Sequence, residues 1–289
     1  MTEGHPDFQP WLATSGAPLA KGPIALILVE DDVAVAETLA HHLRAGFRHI
    51  LALSPDPLAL PKGMDARVTN LRWNTRARDT HVAAVNLLIA AAPPRTWLYY
   101  CYNAEFLFFP FSEHRTVGEM LAFHAEERRD AMLSYVVDLY APDLHQTPNA
   151  VDLQNAMFDR AGYYALGRSG PDGPLERQLD FHGGLRWRFE ELLPPDRRRI
   201  DRIALFRSDP ALRLLPDHRF TIEEYNTYSC PWHHNLTAAI ASFRVAKALV
   251  SNPGSRARIG SFVWRNSQPF DWSSQQLMDF GLMEPGQWF

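Results

Sequence analysis

The sequence has few lysines and few cysteines. Only Lys21, Lys62 and Lys247 are lysines, so arginine supplies nearly all of the positive charge. The two cysteines, Cys101 and Cys230, are too few for a disulfide framework or a thiolate metal site. The planar guanidinium fork of arginine matches carboxylates and phosphates, and we expect a few arginines at most to bind such groups.

The charge and hydropathy patterns exclude two further classes of protein. A formal net charge of -4 gives no strongly basic face, so we expect no nucleic-acid partner. The N-terminal residues lack the apolar core of a signal peptide, and no apolar run approaches the length of a transmembrane segment. We therefore expect a cytoplasmic protein. Its 289 residues, 46% of them hydrophobic, suffice for the core of one large α/β domain or two small ones.

The first hundred residues alternate between apolar runs and helical patterns. The runs at 24–29 and 49–54 predict buried strands that flank an amphipathic helix. A short strand at 67–73 continues the alternation, followed by a helix that Asp79 or Thr80 caps and that Pro93-Pro94 ends. Because strands joined through helices pair in parallel, this part of the chain predicts a mainly parallel sheet.

The longest strongly apolar run is WLYYCYNAEFLFFP at 97–110. It predicts the central buried strand, and it is interrupted only by the polar step Asn103-Ala104-Glu105. Ligands of α/β proteins bind beyond the carboxyl ends of the strands. We therefore expect this step to lie at the functional site.

The rest of the chain gives weaker patterns. In chain order they predict a helix at 116–129, a strand at 132–144, exposed loops at 165–180 and 194–202, and a helix beginning at Leu236 with Asn235 as its N-cap. We divide the chain into a flexible lead-in (1–22), a single domain (23–250) and an aromatic-rich tail (251–289). The tail is expected to pack on the domain or on a partner.

Several short motifs in a fixed order carry a family resemblance. They are Val29-Glu30, LAHHLRAGF at 39–47, the run at 97–110, D-x-Y at 138–140, F-D-x-x-G-Y at 158–163 and G-G-x-R-x-R at 183–188. Together they resemble bacterial family 2 glycosyltransferase-like proteins. The resemblance implies a GT-A-like α/β fold, the fold of nucleotide-diphospho-sugar transferases, with a mixed, mainly parallel sheet flanked by helices.

The resemblance also implies an activity and a set of site residues. The activity is transfer of a sugar from a nucleotide-sugar donor to a glycan or another hydroxyl acceptor. The candidate catalytic acids are Asp138, Asp159 and Glu105. Asp138 and Asp159 are the candidates for the general base that an inverting transfer needs, and Glu105 is expected to stabilise the leaving diphosphate. The implied donor-binding residues are Glu30, Asp56, Arg76, Asp79, Asn86, Asn103, Arg186, Arg188, His233 and His234.

The metal site that the resemblance implies is incomplete in this sequence. In the family, two aspartates of a D-x-D motif hold Mn²⁺ or Mg²⁺ against the diphosphate of the donor. Tyr102 and Ala104 occupy those positions here and are poor ligands, so Glu105 and His218 remain as candidate ligands. Three hypotheses stay open. The chain is a transferase that works without the usual metal clamp, it is an inactive module that binds nucleotide sugars or carbohydrate and acts as a scaffold, or its pocket serves an unrelated ligand.

Overall fold

A computed structural model of the chain describes residues 5–14, 16–61, 63–64, 66–228 and 235–288. These residues form an α/β protein with a mixed, largely parallel sheet flanked by helices. The strands are β1 (Ile24–Leu28), β2 (His49–Ser54), β3 (Val68–Arg72), β4 (Trp97–Tyr102), β5 (Glu105–Phe108), β6 (Ala131–Tyr140), β7 (Met157–Asp159), β8 (Tyr164–Gly170), β9 (Gly173–His182), β10 (Asp201–Arg207), β11 (Ala238–Ser242) and β12 (Ser267–Pro269). The helices are α1 (Phe8–Thr14), α2 (Gly16–Leu19), α3 (Val35–Arg44), α4 (Thr80–Ala91), α5 (Val117–Glu126), α6 (Gly184–Arg188), α7 (Arg244–Ser251) and α8 (Ser274–Asp279).

The chain forms two compact units. The first contains the described residues of Met1–Asn103, Arg115–Met132 and Ile203–Asn226. The second contains those of Ala104–His114, Leu133–Arg202 and Thr227–Phe289. The expected boundaries at residues 22 and 250 stay a prediction. None of the described helices combines the length and the apolar character that a membrane crossing needs.

The sheet of the first unit has the order β10-β4-β1-β2-β3. β4, β1, β2 and β3 are parallel, and β10 is antiparallel to β4. Every residue of β1 and β4 is buried, which is why both strands are continuous apolar runs in the sequence. From β1 the chain adds β2 and β3 on one side and then returns to add β4 on the other. The order therefore reverses between β1 and β4.

The helices of the first unit confirm most of the predicted pattern. Helix α4 begins at Thr80, which places Asp79, one of the two expected caps, at the N-cap position, and it buries Val85, Leu88 and Ile89. Its N-cap residue, Asp79, has a left-handed backbone (φ 51°) and makes no side-chain cap bond. Helix α1 lies within the segment expected to be a flexible lead-in, and its Phe8 ring packs 5.6 Å from the ring of Trp73.

The second unit has its own arrangement of strands. β11 pairs parallel to β6 and antiparallel to β5. β7 is antiparallel to β6, and the tail strand β12 is antiparallel to β7. Two rings of the tail, Phe270 and Trp272, pack edge-on against Phe108 and Phe106 of β5. The tail thus supplies both a strand and aromatic rings to this unit.

Three local predictions were wrong. The helix predicted from Leu236 begins only at Arg244, because residues 238–242 form the buried strand β11 and the N-cap is Phe243 rather than Asn235. The loop predicted at 165–180 is mostly the hairpin β8–β9. The loop predicted at 194–202 already contains the first residues of β10. A short apolar run fits a buried strand or a helix equally well, and that ambiguity explains the first error.

Candidate functional site

Four of the expected donor-binding residues lie at one edge of the first unit. Glu30, Asp56, Arg76 and Asn103 follow β1, β2, β3 and β4 in turn. Since these four strands are parallel, their carboxyl ends share one edge of the sheet. Asn103 and Glu30 stand beside the point where the strand order reverses. In open α/β sheets this is the point at which a crevice forms for ligands.

Asn103 holds the loop that follows β1. Its side chain is fully buried, and its Oδ1 accepts a hydrogen bond from the backbone N–H of Glu30 at 2.9 Å. Its Nδ2 donates to Asp31 Oδ1 at 2.6 Å and to the Val33 carbonyl at 2.9 Å. The amide of Asn103 therefore fixes the backbone of residues 30–33. Through this loop it fixes the start of helix α3.

The loop after β3 is fastened to the same place. Thr75 Oγ1 donates to the Val29 carbonyl at 2.6 Å, and Arg76 Nε donates to the Glu30 carbonyl at 3.1 Å. Arg76 is otherwise an exposed residue. Its guanidinium is thus held beside the end of β1 by one bond, on a residue that stays exposed to solvent. Such a group suits an anionic ligand.

Different surroundings are found at Asp56, which belongs to the same edge, and at two further expected donor-binding residues of this unit, Asp79 and Asn86. Asp56 is exposed, and its backbone carbonyl accepts from Ser54 Oγ at 2.6 Å. Asp79 lies 3.5 Å from the guanidinium of Arg78. The amide of Asn86 is bound on both sides to the backbone of Leu214, at 3.1 and 2.7 Å. Asn86 therefore anchors the segment that follows β10.

His218 lies among aromatic side chains of the first unit. Its Nδ1 is 2.9 Å from the hydroxyl of Tyr100, and its ring centroid is 4.6 Å from that of His81. Its backbone has a left-handed conformation (φ 63°). His81 lies in the first turn of α4 and also approaches the ring of Tyr102. Sequence patterns gave no signal that two histidines so far apart would meet.

Glu105, in the second unit, is closed to solvent. Its carboxylate accepts two hydrogen bonds from the guanidinium of Arg202, at 2.7 and 3.1 Å. A third comes from Ser242 Oγ at 3.0 Å. The side chains of Glu105 and Arg202 are 0% and 3% exposed. The carboxylate is therefore charge-paired and hydrogen-bonded within the protein.

Two of the expected catalytic acids stand in one cross-strand row. Ser242 of β11 pairs with Glu105 of β5 on one side and with Asp138 of β6 on the other. Neighbouring strands lie about 4.8 Å apart, so the Cα atoms of Glu105 and Asp138 are separated by about 10 Å. Residues paired across strands place their side chains on the same face of a sheet. The row therefore presents two carboxyl groups and a hydroxyl to one face.

Asp138 is bound by the G-G-x-R-x-R segment. Its carboxylate accepts from Arg186 Nε and from the Arg186 backbone N–H, both at 3.2 Å. A Cβ on Gly184 would lie 3.0 Å from the same carboxylate, so the chain passes very close to it. Burial raises the pKa of Asp138, with the charge of Asp159 acting in the same direction and Arg186 opposing it.

Asp159 collects donors from three parts of the chain. Its Oδ1 accepts from Tyr140 at 2.6 Å, from the indole N–H of Trp264 at 2.7 Å and from Arg188 at 3.1 Å. Ser267 Oγ lies 2.7 Å from the Tyr140 hydroxyl. Trp264 and Ser267 come from the tail, and sequence reasoning missed them. Their only signal was the aromatic character of the tail, which does not say what a ring contacts.

Tyr163 is packed into the same cluster. A Cβ on Gly183 would lie 2.1 Å from the Tyr163 ring, so only glycine fits at that position. Burial raises the pKa of the Tyr163 phenol, and the charges of Asp159 and Asp138 act in the same direction. Its hydroxyl is buried and has no hydrogen-bond partner among the described residues. The three motifs around Asp138, Asp159 and Gly183 are thus brought together in space.

The charge pattern of these acids bears on their chemistry. Glu105, Asp138 and Asp159 are each paired with an arginine, and each is 1% exposed or less.

Across the described ranges, no group of three or more His, Cys, Asp or Glu side chains is arranged to hold a metal ion. His233 and His234 lie outside the described residues. No protein-family model matches the chain, and no curated protein matches it either.

Proposed function

We propose that the chain is a GT-A-like, glycosyltransferase-like protein that binds a nucleotide-sugar donor at the carboxyl ends of β1–β4. In this proposal it transfers the sugar to a glycan or another hydroxyl acceptor. The exposed guanidinium of Arg76 binds the diphosphate of the donor. Asp138 and Asp159 are the candidate general bases. Mn²⁺ or Mg²⁺ contributes little, since Tyr102 and Ala104 stand where the D-x-D acids would be.

One observation carries the binding part of this proposal. Asn103 joins the end of β4 to residues 30–33 with hydrogen bonds of 2.6–2.9 Å at the point where the strand order reverses. Arg76 bonds to the Glu30 carbonyl at the same point. A loop that is already ordered in this way loses little conformational entropy when a ligand binds.

A second candidate function has its own supporting observation. The three candidate acids are buried and paired with Arg202, Arg186 and Arg188. A carboxylate that is 1% exposed or less is out of hydrogen-bond reach of an acceptor hydroxyl in this structure, which makes it a poor general base. This arrangement favours a module that binds a nucleotide sugar or a carbohydrate without turnover.

Nucleotide binding is tested first. We expect UDP or GDP to raise the thermal midpoint of the protein, because a ligand that binds only the folded state stabilises it. Arg76→Ala should reduce that shift. Arg67→Ala is the matched control, because Arg67 is also exposed and lies just before β3, at the opposite end of that strand from Arg76. Equal shifts in both variants would remove Arg76 from the site. No shift with any nucleotide would contradict both the transferase and the nucleotide-sugar module, and would leave only a module that binds carbohydrate.

Turnover separates the two functions. The wild type is incubated with a panel of nucleotide sugars, with manganese and with EDTA, and release of the nucleotide is measured. Release or transfer supports the enzyme, whereas saturable binding without release supports the module. For the enzyme, Asp138→Asn should lose turnover while keeping the nucleotide-induced thermal shift. Undiminished turnover in that variant would exclude Asp138 as the base.

A further inference from the structure

The hairpin β8–β9 of the second unit has one covered edge and one open edge. Along β9, the Phe181 carbonyl accepts from Ile200 N–H at 2.8 Å, and the Arg177 carbonyl accepts from Tyr228 N–H at 2.7 Å. His182 also forms an isolated bridge with Arg199. β8 pairs with β9 alone in the described part of the chain. Its outward backbone groups are therefore available to a further strand.

The open edge is apolar and uncharged. Residues 164–167 are all exposed, and their sequence is Tyr-Ala-Leu-Gly. Tyr164 is 42% exposed and Leu166 is 55% exposed. Edge strands that stay single usually carry charges, prolines or a cover that prevents pairing, and residues 164–167 have neither charge nor proline. Such an edge is a template for strand addition.

The one charge on β8 is directed inward. Arg168 is 5% exposed, and its guanidinium lies 2.9 Å from Asp180 and 3.2 Å from Asp201. The edge therefore carries no charge of its own that would repel an identical edge. It also offers nothing that would select a charged peptide. The strand that best fits beside this edge is one whose own edge is equally uncharged and apolar.

We propose that β8 pairs antiparallel with β8 of a second copy of this chain about a two-fold axis. Each copy then contributes the same strand, as a symmetric dimer requires, and β9-β8-β8-β9 forms a continuous four-stranded sheet. Tyr164 and Leu166 of the two copies pack beside each other across the axis. The register of β8 against β9 shifts between Gly167 and Ser169, which limits the new pairing to residues 164–167. The dimer is consequently small and reversible.

The test is sedimentation velocity across a wide range of protein concentration. We expect the wild type to pass from monomer to dimer as concentration rises, and Leu166→Lys to remain monomeric because it places a like charge on both edges. Leu215→Lys is the matched control. Leu215 is 38% exposed and belongs to the first unit, so this variant should dimerise like the wild type.

Each other outcome overturns the proposal. A wild type that stays monomeric shows that the edge does not pair with itself. A Leu166→Lys variant that still dimerises, or a Leu215→Lys variant that does not, shows that the interface lies elsewhere. Tyr164→Glu repeats the test with a second exposed side chain. Circular dichroism of all variants verifies that the fold is retained, and nucleotide is omitted throughout.

Discussion

Glu105 and Arg202 form a bidentate ion pair from which solvent is excluded, with N···O distances of 2.7 and 3.1 Å. The pair joins residues that are far apart in the sequence. Glu105 is the only acid of the polar step that interrupts the apolar run at 97–110. Because Arg202 binds this carboxylate, the carboxylate stabilises the fold and is not available to a ligand.

We expect Arg202→Met to lower the free energy of unfolding by about 3–5 kcal/mol, because it leaves a buried carboxylate without its charge partner. Urea denaturation measures the change. The double variant Glu105→Gln with Arg202→Met should recover part of the loss, since no charge is then buried. Arg115→Met removes the exposed 3.7 Å pair with Glu119 and should leave the free energy nearly unchanged. A mild effect of Arg202→Met alone would mean that Glu105 is not held by this pair.

Asn103→Ala should weaken both stability and nucleotide binding. The variant removes the acceptor for Glu30 N–H and the donor to Asp31 Oδ1 and the Val33 carbonyl, at a cost of about 2 kcal/mol. Asn103→Asp keeps the acceptor but puts a second carboxylate 2.6 Å from the carboxylate of Asp31. We therefore expect it to lower stability and nucleotide binding at least as much as Asn103→Ala. Urea denaturation and the nucleotide-induced thermal shift give the two readouts. A normal nucleotide shift in both variants would count against this edge as the binding site.

Tyr140→Phe should lower the stability of the protein, whereas Tyr163→Phe should not. The Tyr140 hydroxyl donates to Asp159 at 2.6 Å, and its loss should cost about 2 kcal/mol. The Tyr163 hydroxyl is buried without a partner among the described residues, so its removal should be neutral or stabilising. Urea denaturation of the two variants makes the comparison. A clear loss in Tyr163→Phe would show that this hydroxyl is bonded after all.

His124 should give the protein a specific pH dependence. Burial lowers the pKa of His124 to about 4, and its Nε2 lies 2.9 Å from the Ala131 carbonyl. An unfolded histidine has a pKa of about 6.5, so the unfolded state takes up the proton first as pH falls from 6.5 toward 4. This histidine alone should remove about 2 kcal/mol of stability between pH 7.5 and pH 5.

His124→Gln is the variant that checks this dependence. It keeps an N–H donor for the Ala131 carbonyl and has no group that titrates in this range. Its free energy of unfolding should therefore fall less than that of the wild type between pH 7.5 and pH 5. Parallel curves for the two proteins would show that His124 does not carry the effect.

The sequence predicts the parallel strands of the first unit and β6 well, and most other strands of the second unit poorly. β1 and β4 are buried on both faces, so each is a continuous apolar run with clear ends. β8 is largely exposed, so its sequence pattern predicts a loop. The turn residues Pro171-Asp172-Gly173 were the one local signal of a hairpin. Local patterns report how a segment is buried. They do not report which strand it pairs with.

The candidate site shows the same limit. The four polar residues after β1–β4 could be placed together, because parallel strands bring their carboxyl ends to one edge. The pairing of Asp159 with Trp264 could not be predicted from the sequence, since it depends on the antiparallel pairing of β12 with β7. The arginine partners of Glu105, Asp138 and Asp159 are likewise set by packing over long sequence distances.

The row of Glu105, Ser242 and Asp138 has a consequence for local opening. Backbone bonds join β11 to both β5 and β6 there, Ser242 Oγ also donates to Glu105, and the carboxylates of Glu105 and Asp138 are each paired with an arginine. A fluctuation that frees one strand must also expose a charged pair, so partial opening is costly at that point. Backbone amides of these three strands should therefore exchange with deuterium together, at the rate of global unfolding. Those of the open strand β8 should exchange much faster.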